Sequence, residues 1–301
     1  MSASTIEKAE ARLAWTLILP AIVLIAAIAV IPLGWTLWES LHLHDLRMPW
    51  LGRPMVGLAN YLEALTDARF QEALAHTVLF TAISVPLQLL LGLVLALGMS
   101  RTVGGRGLLR VSVLLPWSIP TVVVALLWRF MFDSQSGIVN AVLSDAAIVP
   151  DGFAWFVHPR AAWVPVILAD VWKMTPFVAL LLLAGLEGID RSLYEAASLD
   201  GASAWQQFTA VTLPLLRPAM TVAVLFRTLD GLRVFDLIFV LTGGGPGTAT
   251  EPISLYTFNS LLQNLRFGFG SALAIITFAM TFAFALAYIR LLGRDLTEPA
   301  K

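Results

Sequence analysis

Long, largely apolar runs without Asp, Glu, Lys or Arg dominate the sequence. A helix needs about 20 such residues to cross the roughly 30 Å hydrocarbon core of a bilayer. Four runs reach or approach this length, and the shortest of them, with 18 residues, is bounded by arginine on both sides. They are Leu13–Trp38, Ala73–Ser100, Val111–Trp128 and Phe267–Ile289. Each run predicts a membrane-spanning helix.

Two further apolar runs are interrupted by charges. The run 161–186 contains Asp170 and Lys173, and the run 218–241 contains four charged residues. We retain both as spans, because a long apolar segment outside the membrane would have nothing to bury it. The pattern therefore predicts an all-α transmembrane protein with a single domain over residues 1–301 and six spans, at about 13–38, 73–100, 108–131, 161–186, 218–241 and 267–290.

Composition agrees with a membrane protein and excludes other classes. Of the residues, 58% are hydrophobic and 13% are charged, and mean hydropathy is +0.81. An average soluble domain has about 25% charged residues, so an ordinary cytosolic enzyme is excluded. The net charge of −1 argues against a nucleic-acid partner, and the absence of cysteine excludes disulfides and thiolate metal sites.

The distribution of Lys and Arg predicts the orientation. With the N-terminus inside, ten of these residues fall on inner segments and five on outer loops. The positive-inside rule then places both termini in the cytoplasm. The first apolar run is too long for the core of a cleavable signal peptide. We therefore expect this run to be retained as the first span of a multi-pass protein.

The inner connection between spans four and five, residues 187–217, carries an ordered motif, and we refer to it as the EAA segment. It follows the pattern E-A-A, three residues, G, nine residues, I, one residue, L-P, with Val211 in place of the isoleucine. The matching residues are Glu195, Ala196, Ala197, Gly201, Leu213 and Pro214, with Asp200 directly before the glycine. Helix formers from Glu195 predict a short helix that is jointed at Gly201 and ended by Pro214. A plain interfacial helix is the alternative interpretation.

This motif resembles the permease signature of bacterial ABC importers, and the chain as a whole resembles the MalF/UgpA-like permeases of carbohydrate uptake systems. Gly57–Tyr61, Trp172–Phe177 and Leu241–Pro246 are similar to family segments in the first outer loop, the fourth core helix and the turn after the fifth. The run Arg227–Asp236 most resembles the permease of mycobacterial trehalose importers. The resemblance implies a six-helix, MetI/MalF-like core in the bacterial cytoplasmic membrane and trehalose as the sugar.

The resemblance also implies partners. These are a second, similar permease subunit, two ATP-binding subunits that engage the EAA segment, and an extracytoplasmic sugar-binding protein. The chain has no G-x-x-x-x-G-K-[ST] loop, and none of its three lysines follows a glycine. We therefore expect no catalytic residue, no cofactor and no ATP site in this chain, and no metal site at the lone His42-x-His44 pair.

The charges inside span five follow each other at a spacing of three: Arg227, Asp230, Arg233 and Asp236. This spacing allows pairing, so one interpretation is a self-neutralising ladder that packs against a partner subunit. On a regular helix the four would spread over half the circumference and could not all face one cavity. The depths of Lys173, Arg227 and Asp230 nevertheless place them near the membrane midplane.

The resemblance assigns sugar-lining positions to this region. They are Trp172, Lys173, Met174, Arg227, Asp230, Gly231 and Val234. Maltose, other oligosaccharides and glycerol phosphate remain open as substrates beside trehalose. Two other functions also stay open: a proton-coupled carrier that titrates Asp170, Asp230 and Asp236, and a membrane anchor or sensor that transports nothing.

Overall fold

A computed structural model describes residues 3–101 and 106–292, and its regular structure there is helical, without a β-strand. Three π segments (26–30, 208–212 and 259–263) and one 3₁₀ turn (49–51) join or flank the α-helices. The α-helices are α1 (Ala3–Ile25), α2 (Ile31–Ser40), α3 (Ala59–Thr66), α4 (Ala68–Arg101), α5 (Arg106–Ser118), α6 (Thr121–Met131), α7 (Ile138–Asp145), α8 (Trp163–Glu187), α9 (Arg191–Leu199), α10 (Ala204–Gln207), α11 (Leu213–Gly231), α12 (Asp236–Leu241), α13 (Ile253–Phe258) and α14 (Phe267–Leu292).

Five helical stretches in the described residues are long and apolar enough to cross a membrane, and a bent pair makes up to six. The five are 12–40, 68–100, 163–187, 204–231 and 267–291. The all-α, multi-helix class predicted from the sequence is therefore confirmed. The chain ends, predicted to lie in the cytoplasm, fall partly outside the described residues.

The third predicted span is broken. The helices α5 and α6 meet at an angle of 90°, with Ile119 and Pro120 between them. Pro120 has no N–H to continue the ladder of α5, and its ring moves Ile119 out of helical geometry. A run of 18 uncharged residues thus becomes two helices instead of one.

The fifth predicted span is shifted, because helical structure begins earlier and ends earlier than expected. It runs from Ala204 through the π segment Phe208–Thr212 to Gly231, and α12 begins only at Asp236. The prediction that Pro214 ends the preceding helix is wrong. Pro214 lies in the first turn of α11, and the wider turns of the π segment just before it accommodate the proline ring.

The chain forms two compact units. One contains residues 68–256 and 279–292 among those described. Its core lies where α4, α8 and α11 pack together, around Val178, Leu182 and Leu216, which are fully buried. Gly92 of α4 allows the closest approach, since a Cβ there would lie 2.7 Å from a methyl group of Val178. The helices α4 and α8 therefore pack nearly backbone to backbone.

The other unit contains residues 3–67 and 257–278 among those described. From Leu13 onwards, the apolar side chains of α1 are exposed, as expected for a helix that faces lipid or another subunit. The Gly57–Tyr61 motif has a structural role here. Gly57 takes a φ of +59°, the Asn60 amide donates to the carbonyl oxygens of Ser40 and His42, and the Tyr61 hydroxyl lies 2.6 Å from that of Ser40. The motif fixes the turn after α2.

Candidate functional site

A polar cavity of about 300 Å³ lies among α4, α6, α8, α11 and α12. Its lining combines six charged side chains with apolar and hydroxyl groups. The lining residues are Phe80, Thr121, Asp170, Lys173, Met174, Arg227, Asp230, Gly231, Arg233, Val234, Phe235, Asp236 and Leu237. Six of the seven predicted sugar-lining residues are therefore brought together, and the exception is Trp172.

The end of α11 at Gly231 decides the arrangement of the charges. Arg227 and Asp230 belong to α11, Arg233 lies in the turn after it, and Asp236 begins α12. All four line the same cavity. The inference that they could not share one cavity is wrong, because it assumed a regular helix across Gly231.

Arg227 is the centre of a buried network that joins three long helices. Its guanidinium donates to Gln88 Oε1 of α4 at 2.7 Å, to Asp170 Oδ2 of α8 at 3.3 Å and to Asp230 Oδ2 at 3.0 Å. Gln88 closes the network by donating to Asp170 Oδ2 at 2.7 Å. The Arg227 side chain is only 2% exposed, and the planar fork of donors on arginine suits such a multidentate site.

The i, i+3 pairing predicted for these charges is present as well. Asp230 accepts from Arg227 and also from Arg233, whose Nη2 lies 2.9 Å from Asp230 Oδ1. In the part of the chain that the structure describes, the Asp236 carboxylate has no ion-pair partner. The cavity thus presents three carboxylates and three cations, with one carboxylate available for a ligand.

Lys173 points its ammonium at the break between α5 and α6. Nζ donates to the carbonyl oxygen of Trp117 at 3.3 Å and to that of Ile119 at 2.5 Å. Its side chain lines the cavity while its charge is bound to backbone. Two hydrogen bonds to backbone therefore fix the Lys173 side chain, and the neighbouring sequence does not indicate them.

One residue of the buried network was not named from the sequence, and one predicted sugar-lining residue lies outside the cavity. Gln88 was not singled out, although the single amide in the run 73–100, which has no Asp, Glu, Lys or Arg, is a signal for a buried hydrogen bond. Trp172 was expected at the sugar, but its ring lies 6.2 Å from that of Trp128, its side chain is half-exposed, and it does not line the cavity.

The EAA segment contains two short helices, α9 and α10, with the predicted joint at Gly201 between them. Asp190 caps α9 by accepting from the Ser192 N–H, which lowers the pKa of the Asp190 carboxyl. Gly201, at a φ of +78°, makes the predicted joint, and a capping box of Ser203 and Gln206 starts α10. The joint leaves Leu199, at the end of α9, 89% exposed.

The predicted coupling residues fall into two groups. Glu195, Ala196, Asp200 and Gly201 are exposed, and Ala197 is half-buried beside them. Leu213 and Pro214 lie in the first turn of α11, half-buried. The sequence did not single out the two large apolar side chains that stand out on this segment, Leu199 and Trp205, which are 89% and 70% exposed.

Among the described residues, no group of three or more His, Asp or Glu side chains is arranged to hold a metal ion. The site is thus a cavity of paired charges, hydroxyls and apolar walls. Such a lining can bind a neutral, hydroxyl-rich molecule through charged acceptors and donors.

Comparison with known proteins gives a consistent family. The family model described as "Binding-protein-dependent transport system inner membrane component" matches residues 88–297. The trehalose/maltose transport system permease protein MalF of Thermococcus litoralis is 43% identical over 288 residues, covering 95% of this chain and 96% of that protein. The trehalose transport system permease protein SugA of Mycobacterium tuberculosis is 41% identical, covering 95% and 90%.

A solved structure shows the same fold. A chain of a bacterial ABC transporter involved in the import of the acidic polysaccharide alginate superposes with a TM-score of 0.83 at 24% identity, over 99% of this chain and 100% of that chain. The same type of transporter, solved in complex with an alginate pentasaccharide-bound periplasmic protein, gives 0.82 at 23% identity over 98% of each chain. The family match, the relatives and the fold agree, and the chain belongs to the binding-protein-dependent ABC importer permeases of the inner membrane.

Proposed function

We propose that this chain is a permease subunit of an ATP-driven disaccharide importer and that the disaccharide is trehalose. The observation that carries the proposal is the cavity that holds Arg227, Asp230 and Asp236 together. Sugar hydroxyls both donate and accept, so paired carboxylates and guanidinium groups suit them. Two relatives of at least 41% identity are named as a trehalose/maltose permease and a trehalose permease, and trehalose is the sugar that both names share.

The charge balance of the cavity supports a neutral ligand. Three carboxylates offset three cations, so neither an anionic nor a cationic substrate would find a net counter-charge. Asp236 would accept from sugar hydroxyls, and Met174 and Val234 would contact the apolar face of the ring. Glycerol phosphate fits less well, because its phosphate would find no net positive charge in the cavity.

The proposed partners follow from the family. A second, similar permease subunit would complete the pathway, two ATP-binding subunits would receive the EAA segment, and a sugar-binding protein would deliver the substrate from outside. The exposed Glu195, Asp200, Leu199 and Trp205 on this segment support such a contact. This chain would supply no catalytic residue, and the ATP and its metal ion would belong to the partners.

A proton-coupled carrier or a passive anchor, both left open by the sequence, is not proposed, because the family transports with the help of binding proteins. The carboxylates of Asp170 and Asp230 are also ion-paired with Arg227, so both already have a partner within this chain.

Uptake of labelled trehalose into proteoliposomes that contain the whole importer tests the proposal. We expect uptake to require ATP and to be unaffected by a proton gradient. Asp230→Asn removes charge-assisted hydrogen bonds and should raise the KM for trehalose about tenfold or more, with normal recovery of the complex. Uptake driven by the gradient without the ATPases would refute the proposal, and failed assembly of Asp230→Asn would show that Asp230 serves packing.

Coupling through the EAA segment is tested in the same vesicles. Gly201→Val places a β-branched residue at a φ of +78°, which strains the joint, and should reduce both uptake and sugar-stimulated ATP hydrolysis. Gly201→Asn is the matched control, since asparagine tolerates this conformation. Equal activity of the two variants would contradict a role for the joint.

A further inference from the structure

The break in the third span leaves backbone groups that need partners. Pro120 lacks the N–H that would bind the carbonyl four residues earlier, and the last carbonyls of α5 have no intrahelical donor. At membrane depth no bulk water is available to satisfy them, so an irregular segment there depends on protein donors. The right angle between α5 and α6 therefore requires a donor from outside these helices.

Lys173 of α8 is that donor. Its Nζ lies 3.3 Å from the carbonyl oxygen of Trp117 and 2.5 Å from that of Ile119, on the two sides of Ser118, where α5 ends. The residue is only 9% exposed. A cation at the C-terminal end of a helix is also stabilised by the partial negative charge of the helix dipole.

A second contact from the same face of α8 reinforces the first. Phe177, one turn beyond Lys173, stacks on Trp117 with ring centroids 6.0 Å apart. The residue after Pro120, Thr121, begins α6 and lines the cavity beside Lys173. The cavity wall and the break are thus parts of one arrangement.

We propose that Lys173 is a positioning residue, which acts by holding the broken third span at its right angle and so fixes the Thr121 wall of the cavity. Two of the three donors of its ammonium group are taken by backbone carbonyls. Its contribution to sugar transport is therefore made through the shape of the cavity. The inference rests on the proposed sugar site only for its transport readout.

The distance between two spin labels tests this directly. The chain has no cysteine, so Val111→Cys and Phe130→Cys, both at exposed positions, are the only labelled positions in an importer that is assembled with cysteine-free partner subunits. From the helical rise, the two Cα atoms lie about 20 Å apart across a right angle and about 28 Å apart in a continuous helix. The measurement is made without sugar in lipid nanodiscs.

Lys173→Met keeps the length of the side chain and removes its donors. We expect its label separation to shift by several ångströms towards the longer value, and its transport of trehalose to fall. Lys173→Arg keeps the charge and the donors and should retain the wild-type distance, as should the control Leu168→Met at an exposed site on the same helix. An unchanged distance in Lys173→Met, with a raised KM for trehalose, would overturn the proposal and make Lys173 a sugar ligand.

The label distance also separates this proposal from the proposed function, because it is read whether or not trehalose is the substrate. If Lys173→Met fails to assemble, assembly of the double variant Pro120→Ala/Lys173→Met tests whether the unpaired carbonyls at the break are the cause. Alanine restores an N–H that lets the helix continue, so the carbonyls no longer need the lysine. Recovery of the double variant supports the proposal, and failure of both variants overturns it.

Discussion

At the scale of single residues, the few charged side chains within the predicted spans make defined contacts. Arg227 is charge-paired with two carboxylates and hydrogen-bonded to an amide, and these groups come from three helices. Arg233, three residues before Asp236 in the same motif, is 67% exposed and contacts only Asp230 among the described groups. Two arginines of one short run thus have different roles, and only burial distinguishes them.

This difference predicts unequal effects of the same substitution. Arg227→Lys replaces a fork of donors by a point charge that cannot reach Gln88, Asp170 and Asp230 together, and should cost about 2 kcal/mol of stability. Arg233→Lys, at an exposed pair, should cost under about 1 kcal/mol. The thermal unfolding of the purified importer measures both, and equal shifts would contradict the network.

At the scale of helices, the arrangement depends on close contacts and on interruptions. The helices α4 and α8 make the most extensive contact between helices in the described residues. Gly92 lies in this contact, whereas a Cβ added at Gly98 of the same helix would have no neighbouring atom within 4 Å. One helix thus contains a glycine that packing requires and one that it does not.

Alanine at these two glycines gives a matched pair. In Gly92→Ala the new methyl group would meet Val178 at 2.7 Å and the backbone nitrogen of Ala179 at 3.2 Å, and such overpacking costs about 1–3 kcal/mol. Gly98→Ala should leave stability unchanged or raise it, since alanine favours helix. Equal melting temperatures of the two variants would show that α4 and α8 can separate without cost.

At the scale of the whole molecule, the helices make an inner-membrane permease, while orientation remains a prediction from the Lys and Arg distribution. That prediction places residues 132–160 outside and the EAA segment inside. The absence of cysteine makes the prediction simple to check.

Single cysteines at two exposed positions report the orientation. Gln135→Cys should react with a membrane-impermeant thiol reagent in intact cells, and Ser203→Cys should react only after permeabilisation. Labelling of the purified protein is the measurement, with the cysteine-free chain as the background. The reverse pattern would invert the orientation and place the EAA segment away from any cytoplasmic ATPase.

The sequence predicted whatever depends on local composition and spacing. Apolar runs longer than the membrane core indicate helices irrespective of the rest of the chain, and the EAA spacing indicated a joint at Gly201 that the structure contains. Six of the seven residues that the resemblance assigned to the sugar site line the cavity.

The tertiary structure alone decided where the helices break and what the charges contact. Periodicity assumes an uninterrupted helix. It could not show that α11 ends at Gly231, so that four charged side chains line the same cavity. Partners of Arg227 and Lys173 outside their own helices lie 54 to 139 positions away in the chain, and no local pattern specifies such contacts. Long-range pairing in a low-dielectric interior sets the roles of these charges, and it exists only once the helices are packed.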